Sequence, residues 1–239
     1  MPARLSTRRR LATAARWPVG VGLTFWRYLW RTVPLHRLEE EGDWATDAPP
    51  PLPDGVAREE IQAPQDGAGA LFHRRYRTRI RDTALTAEQL IDRIAADPDC
   101  VAPTEFASFQ KLNGDDGAMA VGDEYVVRMP GPWDGPVRVV VREPGEFGFV
   151  TLDGHLEAGQ IRFRAFEQDG LIVFEIESWA RSATRAVDLL YDTLRVSKET
   201  QLHMWTSMLQ RIAELAGGRV TRGIDIHTRR VAERELARA

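Results

Sequence analysis

The chain has 239 residues, of which 43% are apolar, and its net charge at pH 7 is −3. This length suits one sizeable domain with an extension, and the apolar content is sufficient for a hydrophobic core. A near-neutral charge argues against a nucleic-acid partner. Cys100 is the only cysteine, which excludes a disulfide framework and a cysteine-based zinc cluster.

Long apolar stretches and cofactor motifs are both missing from the sequence. No run of about 18 apolar residues occurs, which argues against a conventional transmembrane helix. Neither His73 nor His203 has a partner at metal-ligand spacing, and no phosphate-binding glycine loop or nucleophile elbow occurs. We therefore expect a cytoplasmic protein without a metal or cofactor. Nothing here specifies a reaction or an oligomeric state.

Residues 1–38 form a basic, aromatic segment that contains eight arginines and no acidic residue. The spacing over residues 19–33 predicts an amphipathic helix. Its apolar face carries Phe25, Trp26, Leu29 and Trp30. Three interpretations stay open: a helix that docks on the protein's own core or on a second copy, peripheral binding to an anionic membrane through residues 8–37, and a targeting peptide.

The composition changes over residues 39–69, where acidic residues precede four prolines between positions 49 and 53. Prolines at that density favour extended, unpaired backbone, so we predict a linker. Residues 70–218 then have the pattern of one α+β domain. Residues 219–239 are predicted to form a charged C-terminal tail.

Short strands separated by turn residues dominate the domain, which is typical of antiparallel connections. A helix is predicted to begin after Thr86, and a helical period extends from Ser182 to about Leu215. We expect a curved antiparallel sheet wrapped around this long C-terminal helix. The predicted strands are 71–78, 106–112, 124–129, 137–142, 147–152, 160–166 and 171–179.

One hairpin can be paired residue by residue, because Asp169 and Gly170 form a strong two-residue turn signal. A slip of one residue would turn every core side chain outward, so the register is well determined. The predicted pairs are Phe163–Ile176 and Ala165–Phe174 on an apolar face, and Arg162–Glu177 and Arg164–Glu175 on the other face.

The two faces of this hairpin have different expected roles. The apolar face needs a cover, which the C-terminal helix supplies through Leu202, Trp205, Leu209 and Ile212. The charged pairs are interpreted as sheet stabilisers on a solvent face, each contributing about 0.2–1 kcal/mol.

The loop 154–159 is the most distinctive candidate site. Its glycines permit sharp turns, so His155 and Glu157 are able to face a ligand together; alternatively, His155 holds the turn through loop carbonyls. Trp179 and Arg181, where the last strand ends, and Trp205 on the helix are further candidates for ligand contact.

Two functions fit these residues. The first is a binding module with an apolar cavity for a small molecule or lipid between the sheet and the helix. A cavity smaller than roughly 300 Å³ argues against it. The second is an enzyme that uses His155, Glu157 and Arg181 at a pocket mouth, which requires the three side chains to converge.

A family resemblance supports the first of these functions. Residues 71–218 resemble the DUF1990 family through Val121-Gly122-Asp123, the Gly-His-x-Glu-x-Gly core at 154–159 and Ile176-Glu177-Ser178-Trp179-Ala180-Arg181. The predicted strand order also resembles the helix-grip, START-like architecture. That resemblance implies a pocket for an apolar small molecule between a curved sheet and a C-terminal helix, although fold alone does not define a ligand.

Overall fold

The structure is a computed structural model that describes residues 33–103, 107–115, 117–128, 134–185 and 196–233. The predicted N-terminal helix over 19–33, with Phe25, Trp26, Leu29 and Trp30, lies outside the described residues. Within the described residues, no helix is both long and apolar enough to cross a membrane.

The described residues form one nine-stranded sheet in the order β1-β9-β2-β8-β7-β6-β5-β4-β3. The strands are β1 (Leu35–Glu41), β2 (Ala68–Arg81), β3 (Ser108–Asn113), β4 (Glu124–Arg128), β5 (Asp134–Glu143), β6 (Glu146–Thr151), β7 (Glu157–Gln168), β8 (Leu171–Ser182) and β9 (Arg219–Val231). The helices are α1 (Trp44–Asp47), α2 (Ala87–Ala96) and α3 (Val196–Leu215), joined by two short 3-10 turns at Pro64–Asp66 and Pro98–Cys100.

The hairpin of β7 and β8 has the predicted register. Asp169 and Gly170 have φ values of 53° and 73°, the left-handed conformation that a two-residue turn of this kind requires. Phe163 lies opposite Ile176, and all three other predicted pairs also occur. The turn chemistry and the alternation of the two strands therefore determined the pairing.

One face of the sheet, here called the helix face, is covered by α2 and α3. Phe163 and Ile176 are fully buried there, in one hydrophobic cluster with Leu202, Leu209 and Ile212 of α3. Leu90, Ile91 and Ile94 of α2 are also in this cluster, and the Thr86 side chain caps that helix as predicted. The predicted burial of the hairpin beneath the helix is confirmed.

The opposite face, here called the strap face, is partly covered by residues 42–66, which the sequence assigned to a linker. Leu52, Val56 and Ile61 pack on Val140, Val141 and Val150, and Ile61 forms a bridge to Leu152. The proline-rich part has no helix or strand, and these apolar side chains hold the segment against the sheet. We call this ordered segment the strap.

Two further predictions were wrong. The sheet is mixed rather than purely antiparallel, and it includes residues after position 218. β1 pairs in parallel with β9, and β9 lies between β1 and β2. The segment interpreted as a charged tail therefore contains an interior strand. A bulge at Arg222 and Gly223, both with positive φ, breaks its alternation and hides Ile224 and Ile226 from a simple period-two pattern.

Candidate binding cavity

A cavity lies on the helix face where the sheet carries small residues. Gly159 pairs with Ala180, and Ser178 occupies the next row on β8; all three line the cavity. Phe163 and Phe174 fill the adjacent part of the same face, where both are buried. The space thus arises because the row of side chains changes from large to small along the hairpin.

The close approach of β7 and β8 in this row requires a glycine. A Cβ atom on residue 159 would lie 2.0 Å from the carbonyl oxygen of Trp179 and 2.8 Å from the Cα atom of Ala180. No side chain can be placed there without moving backbone. Gly159 therefore keeps both the strand spacing and the open space.

Helix α3 closes the cavity with Met204, Trp205 and Met208. The Trp205 ring meets the Phe163 ring edge to face, with ring centroids 5.9 Å apart. The two methionines are flexible and polarizable, which suits a wall that adapts to its contents. Trp205, which the sequence analysis named as a candidate for ligand contact, thus lies between the packed core and the cavity.

The cavity has a volume of about 110 Å³ and a mostly apolar lining. This is below the roughly 300 Å³ of typical drug-sized pockets. The cavity thus falls below the limit of roughly 300 Å³ set for the predicted small-molecule or lipid cavity, which argues against a ligand as large as a lipid. The physical reason is that Phe149, Phe163 and Trp205 occupy much of the space between the sheet and α3.

His155 and Glu157 both line this cavity, and the backbone around them is tied down from two sides. The Gln62 amide of the strap donates to the carbonyl oxygens of His155 and Glu157, at 2.9 and 2.8 Å. The Gln201 amide of α3 donates to the Glu157 carboxylate at 2.7 Å. The loop is consequently held between the strap and the helix.

The His155 ring has a structural role in this loop. Its Nδ1 atom accepts the backbone N–H of Glu157 at 2.9 Å. Burial lowers the pKa of His155, which favours the neutral ring that can accept this bond. The interpretation that His155 holds the turn is therefore supported, with the Glu157 N–H as the bonded group.

Trp179 and Arg181 point to the strap face, away from the cavity. Trp179 stacks on the His73 ring with centroids 5.0 Å apart, and Arg181 donates to the Pro64 carbonyl of the strap and to Glu233. Both are odd-numbered residues of β8, as Glu175 and Glu177 are, and the alternation of the strand already indicated that they lie on the face opposite to Ile176. The proposed convergence of His155, Glu157 and Arg181 is thus contradicted, and with it the three-residue catalytic arrangement.

Arg74 is a cavity residue that the sequence analysis missed. It is half-buried on β2, opposite Ser178 of β8, and it lines the cavity. The sequence contained a signal for this placement of Arg74. Alternate residues of a strand lie on one face, and here these are Phe72, Arg74 and Tyr76, two of which are aromatic. An arginine in that series has to face the apolar side of the sheet.

The charged pairs of the hairpin are buried rather than exposed. Glu175 and Glu177 retain only 5% and 4% of their accessible surface, because β2 side chains and the strap cover them. Glu177 accepts from His73 at 2.8 Å, from Arg75 at 2.6 Å and from Arg164 at 2.8 Å. The prediction that these pairs lie on a solvent face was wrong, because it considered the hairpin alone and not β2, which pairs with β8.

His73 joins this network to the strap. Its Nδ1 and Nε2 atoms lie 2.8 Å from the carboxylates of Asp47 and Glu177, so it bridges two buried acids. Burial acts to lower the pKa of His73, but its hydrogen bonds to Glu177 and Asp47 outweigh this and raise the pKa above 6.5. We call Asp47, His73 and Glu177 the strap network.

Across the described ranges, no group of three or more His, Cys, Asp or Glu side chains is arranged to hold a metal ion. In the strap network, the two nitrogens of His73 point to different acids, and each is occupied by a hydrogen bond.

The family resemblance is confirmed over residues 106–213, which match the family described as "Domain of unknown function (DUF1990)". This range contains the loop 154–159, the β7–β8 hairpin and most of α3. No curated protein is significantly similar to the chain in sequence.

Several solved structures are similar in fold at low identity. Protein Ms6760 from Mycobacterium smegmatis is 18% identical over 69% of this chain and 96% of its own, with a TM-score of 0.41. Norcoclaurine synthase from Thalictrum flavum is 12% identical over 70% and 98%, with a TM-score of 0.45. The di-domain ARO/CYC StfQ from the steffimycin biosynthetic pathway is 10% identical over 64% and 52%, with a TM-score of 0.47. None of these likenesses is close enough to carry an argument about function.

Proposed function

Because residues 106–213 match a family without an assigned activity, we propose from the cavity itself that this protein binds a small, mostly apolar molecule on the helix face of its sheet. The observation that carries this proposal is the mostly apolar cavity between Gly159, Ala180 and the Trp205 wall of α3. An open apolar space at this position is unusual in an interior that otherwise packs closely.

The volume supports a ligand about the size of one ring. An engineered apolar cavity of about 150 Å³ is large enough to bind benzene, and this cavity is of similar order at about 110 Å³. Its aromatic wall, which includes Phe149, Phe163 and Trp205, favours a flat ligand that stacks or meets these rings edge to face.

The polar groups around the cavity support binding rather than conversion. The Glu157 carboxylate is bonded to Gln201, and the His155 Nδ1 atom is occupied by a backbone N–H. Among the described residues, neither is hydrogen-bonded to a Ser, Thr or Cys side chain, the pairing that activates a nucleophile for acyl transfer. These groups fix the loop and leave the apolar wall as the main contact surface.

Filling the cavity tests this proposal. The variant Ala180→Leu adds three carbons to a cavity-lining position, so we expect it to weaken the binding of benzamide by about tenfold or more, since each buried methylene of overlap costs on the order of 1 kcal/mol. Benzamide is a neutral single-ring compound. Binding can be measured by ligand-observed NMR titration, with thermal unfolding recorded in parallel.

A matched control separates cavity filling from general damage to the strand. Val173→Leu enlarges a buried side chain on the opposite face of β8, so it should leave benzamide binding within about twofold. If the wild-type protein binds no benzamide, or if Ala180→Leu binds it as well as wild type does, the proposal is wrong.

A further inference from the structure

Arg74 brings a positive charge to the helix face of the sheet. It pairs with Ser178 of β8 on one side and with Thr228 of β9 on the other. Ser178 in turn pairs with Ile161 of β7, which packs against the hydrophobic cluster. The Arg74 side chain therefore belongs to the same face as the core, and Arg74 is one of the residues that line the cavity.

This cation has no carboxylate partner among the residues that the structure describes. By contrast, four arginines of the strap face each have a carboxylate oxygen between 2.5 and 3.2 Å away; they are Arg75, Arg79, Arg162 and Arg164. The Arg74 guanidinium thus lies beside a mostly apolar cavity with a positive charge that no carboxylate of the described residues balances. The arrangement is that of a site whose counter-charge arrives from outside the described chain.

Among the described residues, the Arg74 guanidinium lies over an aromatic ring and donates no hydrogen bond. The guanidinium carbon lies 4.5 Å from the centroid of the Phe72 ring, so the Phe72 ring holds one face of the guanidinium. The five N–H donors of arginine lie in the plane of the group and point outward from its edge. A planar carboxylate is the partner that this edge binds with two parallel bonds.

Glu157 does not neutralise Arg74 across the cavity. Glu157 pairs with Ser182 of β8, whereas Arg74 pairs with Ser178. Four residues of β8 separate these rows, which corresponds to about 13 Å along an extended strand. The carboxylate of Glu157 is moreover bonded to Gln201. Among the described lining residues, Glu157 and Arg74 therefore lie apart, and Arg74 has no carboxylate partner.

We infer that the ligand of this cavity is a small aromatic or otherwise flat carboxylate, with its ring against Phe163 and Trp205 and its anionic group bound by Arg74. This inference rests on the proposed function and names the chemical class of the ligand. Charge-assisted, bidentate bonds in a partly desolvated site supply the selectivity for an anion over a neutral compound of equal size.

The test compares benzoate with benzamide, which share a ring and a planar head group but differ in charge at pH 7. We expect the wild-type protein to bind benzoate about 10-fold to 100-fold more tightly than benzamide, the range typical of hydrogen bonds to a charged group. The variant Arg74→Gln should abolish this preference, so that benzoate then binds no more tightly than benzamide. Both affinities can be measured by NMR titration at fixed ionic strength.

Two further variants make the result specific. Arg77→Gln removes an equal charge from the strap face of the same strand and should keep the preference for benzoate. Arg74→Lys keeps the positive charge but lacks the planar guanidinium group with its parallel donors, so it should retain a smaller preference for benzoate. A wild-type protein that binds benzamide but does not prefer benzoate would overturn the assignment of Arg74 alone, as would a preference that survives Arg74→Gln. Absence of binding for both compounds would overturn the cavity proposal as well.

Discussion

Replacing Glu177 with alanine is expected to lower the free energy of unfolding by about 3–5 kcal/mol, the usual cost of removing one partner from a buried ion pair. The carboxylate is only 6% exposed and accepts hydrogen bonds from His73, Arg75 and Arg164. Without it, three cationic or polar groups on two other strands lose their common partner. Urea denaturation measures the loss.

The exposed acid Glu167 on β7 provides the control for this variant. Glu167→Ala removes a carboxylate without a buried network and should change the free energy of unfolding by less than about 0.5 kcal/mol. A loss below about 1 kcal/mol for Glu177→Ala would show that the network contributes no more than an exposed pair does.

The pH dependence of this stability has a defined sign. Burial acts to raise the pKa of Glu177, but hydrogen bonds from His73 and Arg75 outweigh it and lower the pKa from 4.5 to about 2. Its contribution is therefore fully present above pH 4.5 and is lost as the pH falls towards 2. The raised pKa of His73 acts in the opposite sense, with its contribution present below pH 6.5 and lost as the pH rises through the raised value.

The variant Glu177→Gln keeps the shape of the side chain but removes its charge. It therefore isolates the part of the pH dependence that comes from protonation of Glu177. We expect the difference in unfolding free energy between wild type and Glu177→Gln to be largest between pH 4.5 and 6.5 and to shrink as the pH falls towards 2. A difference that stays constant down to pH 2 would contradict the lowered pKa of Glu177.

The second large effect is expected at Gly159. The variant Gly159→Ala places a Cβ atom 2.0 Å from the carbonyl oxygen of Trp179, so β7 and β8 must separate locally. We expect a loss of about 3 kcal/mol in the free energy of unfolding, at the upper end of the cost of overpacking. We also expect weaker ligand binding, because Gly159 lines the cavity.

Gly117 is the matched glycine for this prediction. A Cβ atom there meets nothing within 4 Å, so Gly117→Ala should change the free energy of unfolding by less than about 0.5 kcal/mol. Equal effects of the two substitutions would mean that strand spacing at Gly159 is not tightly constrained.

The sequence was sufficient for features that depend on local chemistry. The turn at Asp169 and Gly170 imposes positive φ values, and the alternation of the flanking strands allows only one register with a buried face. The burial of Phe163 and Ile176 beneath α3 followed from that register. For His155, the sequence left open whether the ring faces a ligand or holds the turn, and its bond to the Glu157 N–H supports the second.

Features that depend on distant segments could not be predicted in the same way. The burial of Glu177 requires β2 and Asp47 of the strap, neither of which adjoins the hairpin in sequence. β9 was hidden by its bulge at Arg222 and Gly223. The cavity volume depends on how far α3 stands from the sheet, which a stripe of apolar residues does not specify.

The candidate site was predicted only in part. Glu157 and Trp205 do line the cavity, and His155 lies beside them. Trp179 and Arg181 were included against the parity of their own strand, and the structure places both on the strap face. Arg74 was not among the predicted site residues, although its parity on the predicted strand matched that of Phe72 and Tyr76.

The most direct measurement is a crystal structure of the protein soaked with bromobenzene, in which anomalous scattering locates the bromine atom. We expect a bromine peak between Phe163 and Trp205 in the wild-type protein and no such peak in Ala180→Leu. Bromine found only on the outer surface of the wild-type protein, with the space beside Gly159 still free of ligand, would contradict this expectation.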